Sequence, residues 1–107
     1  MSELGRPQYY NNEAYSVLWG AVDQELDLLA ALQADGRGTY IGPATYLVLD
    51  TDLTVTFKIN ATTSDAITLT TAGLTIPGGV MAISKLYFTR GIASSAITNA
   101  TLSIFAS

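Results

Sequence analysis

The sequence predicts a mainly β fold: a small antiparallel β-sandwich or jelly-roll-like module, preceded by an N-terminal arm and one α-helix. Three observations carry this. Residues 39 to 107 are dense in Thr, Ile, Val, Ser and Gly, whereas Leu, Ala, Gln, Glu and Asp dominate before them. Charge divides at the same place, since residues 1 to 38 hold six acids against two arginines, the whole of the net −4, and the remainder balances to zero. Beyond that point apolar and polar residues alternate in short runs separated by turn residues. The resulting organisation is an extended arm over 1–12, a helical unit over 13–35, a linker over 36–44 and a sandwich domain over 45–107. With 107 residues, 49% of them apolar, the chain suffices for one folded core.

The helix is predicted from about Glu13 to Ala34. Asn11 or Asn12 would cap its start and Asp35-Gly36 would stop it, with Gly in the left-handed position. At 1.5 Å per residue it would be roughly 33 Å long. Tyr15, Trp19, Val22, Leu26 and Leu29 follow a 4-3-4-3 spacing, and Leu18, Leu28 and Leu32 widen the stripe. Gly20 weakens such a helix by about 1 kcal/mol relative to Ala, and its acids have no Lys or Arg to pair with at i,i+4. Its order must therefore come from packing, either across its own β module or in a short bundle about a symmetry axis.

Six or seven short strands are predicted after it. Tyr46 to Leu49 comes first. Leu53 to Asn60 alternates without a fault, with Leu53, Val55, Phe57 and Ile59 on the inner face. Ala66 to Thr70 repeats the pattern after a turn at Thr62 to Asp65, and Ala72-Gly73 with Pro77-Gly78-Gly79 brackets Leu74 to Ile76. Val80 to Thr89 reads as apolar on both faces, with Val80, Ala82, Leu86 and Phe88 opposed to Met81, Ile83 and Tyr87, so cover on both sides is expected. Ala100 to Ala106 sends Leu102 and Ile104 inward, Thr101 and Ser103 outward, and adds Phe105 to the outer side.

Composition removes most chemistry. With neither His nor Cys there is no Ser/His/Asp or Cys/His nucleophile system, no disulfide and no ordinary zinc site, so no catalytic, cofactor-binding or metal-ligating residues are expected and the chain is not read as an enzyme. The negative balance argues against nucleic acid, whose phosphates are bound mainly by Lys and Arg. The first residues carry no basic stretch followed by an apolar one, and no apolar run approaches the roughly 20 residues that span a bilayer, so neither a signal nor a membrane partner is expected.

Four local features remain. Asp50-Thr51-Asp52 offers paired carboxylates but no third acid nearby, and reads as solvated acids at a strand edge rather than a calcium site or glycosidase pair. Gly36-Arg37-Gly38 lacks the continuation of a phosphate loop. Asn60-Ala61-Thr62 and Asn99-Ala100-Thr101 match the glycosylation pattern without a secretory context. Tyr9, Tyr10, Tyr15 and Trp19 combine large contact area with polar handles, and the arm residues Tyr9 and Tyr10 are expected to dock on a neighbouring subunit. The interface set expected from the sequence is therefore Tyr9, Tyr10, Tyr15, Trp19, Val22, Leu26 and Leu29.

The passages Asp52-Leu53-Thr54-Val55-Thr56-Phe57 and Ala72 to Leu86, followed by Thr89, Ser95 and Ile97 before a closing strand, resemble small β proteins of tailed-phage and gene-transfer-agent particles. The likeness spans about residues 46 to 106, although the segment Ala61 to Thr71 is longer than the corresponding loop there and the helix at 13 to 34 has no counterpart in it. Those proteins serve as bases of head spikes or fibres and as capsid-surface parts. The resemblance implies a structural, substrate-free virion component, assembled in the host cytoplasm. Its partners would be copies of itself, as a trimer or pentamer, and the major capsid or another virion protein. The alternative is a carbohydrate-binding module or adhesin presenting its aromatics to glycan.

Overall fold

The alternating runs become strands in the computed structural model, which describes residues 9–10, 15–34, 43–91 and 97–107. In chain order the elements are β1 (Tyr9–Tyr10), β2 (Tyr15–Val17), β3 (Gln24–Asp27), α1 (Leu28–Ala34), β4 (Leu47–Thr51), β5 (Val55–Ile59), β6 (Ile67–Leu69), β7 (Leu74–Ile76), β8 (Lys85–Thr89) and β9 (Ala100–Ala106). One sheet runs β2-β9-β4-β7, with β1 sharing the β9 edge beyond β2, and the other runs β3-β8-β5-β6; every pairing is antiparallel.

The pairs β2 with β9, β3 with β8, β4 with β7 and β5 with β6 are nested about the turn at residues 60–66. From β2 onward the chain is thus one long hairpin rolled up until its two arms lie in two sheets, and from β2 to β9 only the β5–β6 connection stays within a sheet. Eight strands in this order form a jelly roll. The β-sandwich expected from composition and alternation is present, but it is not confined to 45–107: β2 and β3 come from the segment read as helix and complete the two sheets.

Alternation decides which side chains enter the core. β9 buries Ala100, Leu102, Ile104 and Ala106 and exposes Thr101 and Ser103, while β5 buries Val55 and Phe57. Leu47 and Leu49 of β4, Leu69 of β6, and Leu86 and Phe88 of β8 complete the space between the sheets. Phe88 lies at its centre, its ring 5.5 Å from that of Tyr15 and 6.0 Å from that of Phe57.

The helix is much shorter than the spacing suggests. Residues 15–17 and 24–27 are strands, and α1 begins only at Leu28. Backbone conformation explains the difference: Gly20 sits at φ +84° and Asp23 at φ +57°, both left-handed and incompatible with a continuous α-helix. The true cap is Asp27, whose Oδ1 accepts from the Ala30 amide at 3.0 Å. Leu28 and Leu32 are buried in the protein's own core, so the helix covers the sandwich and provides no long seam. The caps proposed at Asn11, Asn12 and Asp35-Gly36 lie outside the described residues.

The run from Val80 to Thr89 also differs from expectation. It is not one strand apolar on both faces. Ile83 forms an isolated bridge with Ala44, and the inward phase then resumes at Leu86, an odd step that sets Val80 and Met81 on the surface and Leu86 and Phe88 inside. Asn60 fixes this change of phase. Its Oδ1 accepts from the Ser84 amide at 2.7 Å and the Lys85 amide at 3.3 Å, its Nδ2 donates to the Ala82 carbonyl at 2.9 Å, and its own amide donates to Lys85 O at 2.8 Å. Asn60 adopts φ +69°, a conformation that Asn tolerates better than Ala. Replacement by Gly keeps the backbone and loses the side-chain bonds, at about 1 kcal/mol, whereas Ala adds roughly another 1 kcal/mol of backbone strain. Urea midpoints should therefore fall in the order wild type, N60G, N60A.

Candidate functional site

Among the described residues the acidic groups do not converge. Among the described residues no three of His, Cys, Asp and Glu come together as a metal-binding group. Asp52 is engaged locally: its Oδ1 accepts from the Thr101 amide at 2.7 Å, and its amide donates to Thr101 O at 3.1 Å. Thr51 Oγ1 accepts from the Leu53 amide at 3.2 Å and turns the chain between β4 and β5. Asp50 is exposed, facing the turn at Gly73. The Asp52 carboxylate serves a strand end. The Asn60 and Asn99 side chains likewise hold backbone, Asn99 through its Oδ1.

What does stand out is the corner between β2 and β3. Leu18 to Ala21 forms a tight turn closed by the Ala21 amide on Leu18 O at 2.9 Å, with Gly20 at the third position and φ +84°, as a type II turn requires. This places Trp19 at the tip, 39% exposed, between Leu18 at 53% and Val22 at 69%. Ile97, 76% exposed, comes from the loop leading into β9.

A hydrogen-bonded frame joins the two loops. Trp19 donates its amide to Asn99 Oδ1 at 2.8 Å, and Gln24 accepts from the Leu18 amide at 3.1 Å while donating to Ser16 O at 2.8 Å and Tyr15 OH at 3.0 Å. Arg90 lies at the middle. Its backbone accepts from Gly20 and donates to Ala21 O at 2.9 Å, and its guanidinium donates to Thr54 O at 2.7 Å and Thr98 O at 3.1 Å. Asp23 completes the corner with an ion pair to Lys58 at 3.2 Å. Large apolar side chains are therefore presented to solvent by a backbone that is tied down.

The seven residues expected to form one interface fall into three places. Trp19 and Val22 stand together on the corner. Tyr15 packs on Phe88, and Leu26 and Leu29 are half-buried, Leu26 against the core, so they do not share a stripe with Trp19. Tyr9 and Tyr10 pair through β1 with Ala106 and Phe105 of the same chain, along the β9 edge that β2 leaves open. Residues 1–8 and 11–12 of the proposed arm lie outside the described residues. Arg90 was not among the expected site residues, although Leu86, Phe88 and Arg90 share one phase of alternation and that phase faces inward. Leu18 was read only as widening the helical stripe and Ile97 only as part of the resemblance, so neither was expected at an interface.

No helix among the described residues is long and apolar enough to cross a membrane. Comparison with known proteins supplies no relative: no family model, no curated protein and no solved structure matches the chain.

Proposed function

We propose that this chain is a structural assembly subunit of a phage-like particle, a homo-oligomer that cements capsomers or forms the base of a head spike or fibre. The observation that carries the assembly reading is the corner where Leu18, Trp19, Val22 and Ile97 stand exposed on a hydrogen-bonded frame. Exposed apolar groups clustered on a soluble domain mark interaction sites, and a rigidly held Trp contributes more to association than most residues. Placement on a particle is supported by the resemblance over residues 46 to 106 and by the jelly-roll order, a fold used by capsid and lectin domains alike. The partners are then copies of the chain and a capsid protein, joined mechanically with no substrate turned over. An interface of about 800 Å² per partner suffices for a specific contact, and repetition over many copies multiplies it.

Light scattering across a concentration series tests this. The wild type should show one defined oligomer, and the W19A/V22S variant should dissociate at least tenfold more readily while its monomer keeps the wild-type fold by circular dichroism. Unaltered assembly of that variant would overturn the corner as the anchor. Glycan binding by a monomeric wild type, abolished by W19A, would instead favour the carbohydrate-binding reading.

A further inference from the structure

From Ala66 to Ser84 the chain carries no charged side chain. This stretch contains both β6 and β7, and among the described residues each is the terminal strand of its sheet, β6 beyond β5 and β7 beyond β4. The connection between them is the short turn over residues 70–73, closed by the Gly73 amide on Thr70 O at 2.9 Å, so the two edges lie on one flank of the sandwich. The loop that follows adds Val80 and Met81, exposed at 59% and 41%. Edge strands present unpaired backbone donors and acceptors, and monomeric proteins guard them with Lys, Pro or inward charges. Here neither strand carries any of these, and Pro77 falls after β7. The opposite flank is different: β3 has Glu25 at 3.5 Å from Lys85, and the nearby Asp23 pairs with Lys58.

We infer that the β6–β7 flank pairs edge to edge with the same flank of a second copy of this chain. The charge distribution selects that occupant. Two copies each bearing −4 repel one another, and the two edge strands, which bear no charge themselves, are where they meet with the least opposition of like charges, the Asp50 carboxylate standing at the turn before β7 and not on either edge strand. Antiparallel pairing of one strand with its own copy is related by a two-fold axis, so the contact is self-complementary and continues the sheets across the axis. This rests on the self-assembly reading above and extends it. A two-fold contact at the flank, separate from the corner at Trp19, would link oligomers built through that corner to one another.

The test places a lysine on each edge strand. Thr68 and Thr75 are exposed on β6 and β7, so T68K/T75K adds charge without touching the core. The change lowers the net negative charge and so relieves overall repulsion between copies, and any loss of association must then arise at the edge itself. Light scattering on the full chain should show association weakened at least tenfold with an unchanged thermal midpoint. Amide exchange at 67–69 and 74–76 in the wild type should slow as protein concentration rises. Unchanged mass in T68K/T75K together with concentration-independent exchange would overturn the inference. If the oligomer is lost in W19A and kept in T68K/T75K, the flank fails and the corner stands; a wild type that is monomeric at every concentration removes both.

Discussion

Phe88→Ala should be the most damaging single truncation in the core. The ring is fully buried in β8, paired across the sheet with Gln24 of β3 on one side and Phe57 of β5 on the other, and it touches the Tyr15 ring of the opposite sheet. Removing it takes away contacts in three strands and leaves a cavity that the flanking backbone ladders prevent from collapsing, which typically costs 3–5 kcal/mol, about 4 kcal/mol here. A domain of this size is stable by only about 5–15 kcal/mol, and each 1 kcal/mol shifts the midpoint by roughly 4–8 °C, so a fall on the order of 20 °C is expected. Phe105→Ala provides the control. That ring is half-buried on the outer face, edge-on to Tyr46 at 6.0 Å, and its loss should lower the midpoint by less than half as much. Equal effects in calorimetry would contradict the inward and outward assignment of β8 and β9.

Much of this fold was legible in the sequence, and the exceptions share a cause. β7 and β9 match the expected segments at both ends, because clean alternation bounded by Gly, Pro or Asn has one structural solution when one face is buried. The helix was overextended because Tyr15, Trp19, Val22, Leu26 and Leu29 mimic a 3.6-residue period by accident. Tyr15 and Leu26 approach the core from strands on opposite sheets, while Trp19 and Val22 point to solvent from the corner between them. Gly20 was the visible warning, since a residue that costs a helix about 1 kcal/mol serves a turn without strain. The phase change in β8 was invisible locally. It is imposed by Asn60, distant in sequence, whose amide captures Ser84 and Lys85. The corner was half legible: Trp19 and Val22 were singled out as anchors, but the partner loop that carries Ile97 and the arginine behind it are brought there only by long-range pairing.

Arg90→Met should show how far that corner depends on the arginine. Arg90 is only 2% exposed and its guanidinium reaches two backbone carbonyls from separate loops, Thr54 O and Thr98 O. Methionine keeps most of the stem volume and supplies no donor, so the cost isolates the polar contribution: two carbonyls lose a charged donor, about 3 kcal/mol in total. Lysine brings one compact ammonium in place of a planar fork and should recover only part of the loss. The effect should not stop at stability. Thr98 stands between Ile97, which is exposed, and Asn99, which accepts from the Trp19 amide, so releasing Thr98 loosens one wall of the apolar corner. Arg90→Met should therefore weaken self-association and lower the melting midpoint together, with faster amide exchange at residues 18–23 and 97–99. Trp19→Ala should weaken association without speeding amide exchange at residues 97–99. An Arg90→Met protein that melted earlier yet assembled as tightly as the wild type would separate the frame from the contact, and would mean that the corner residues hold their positions through the backbone bonds of Gly20 and Ala21 without help from the guanidinium.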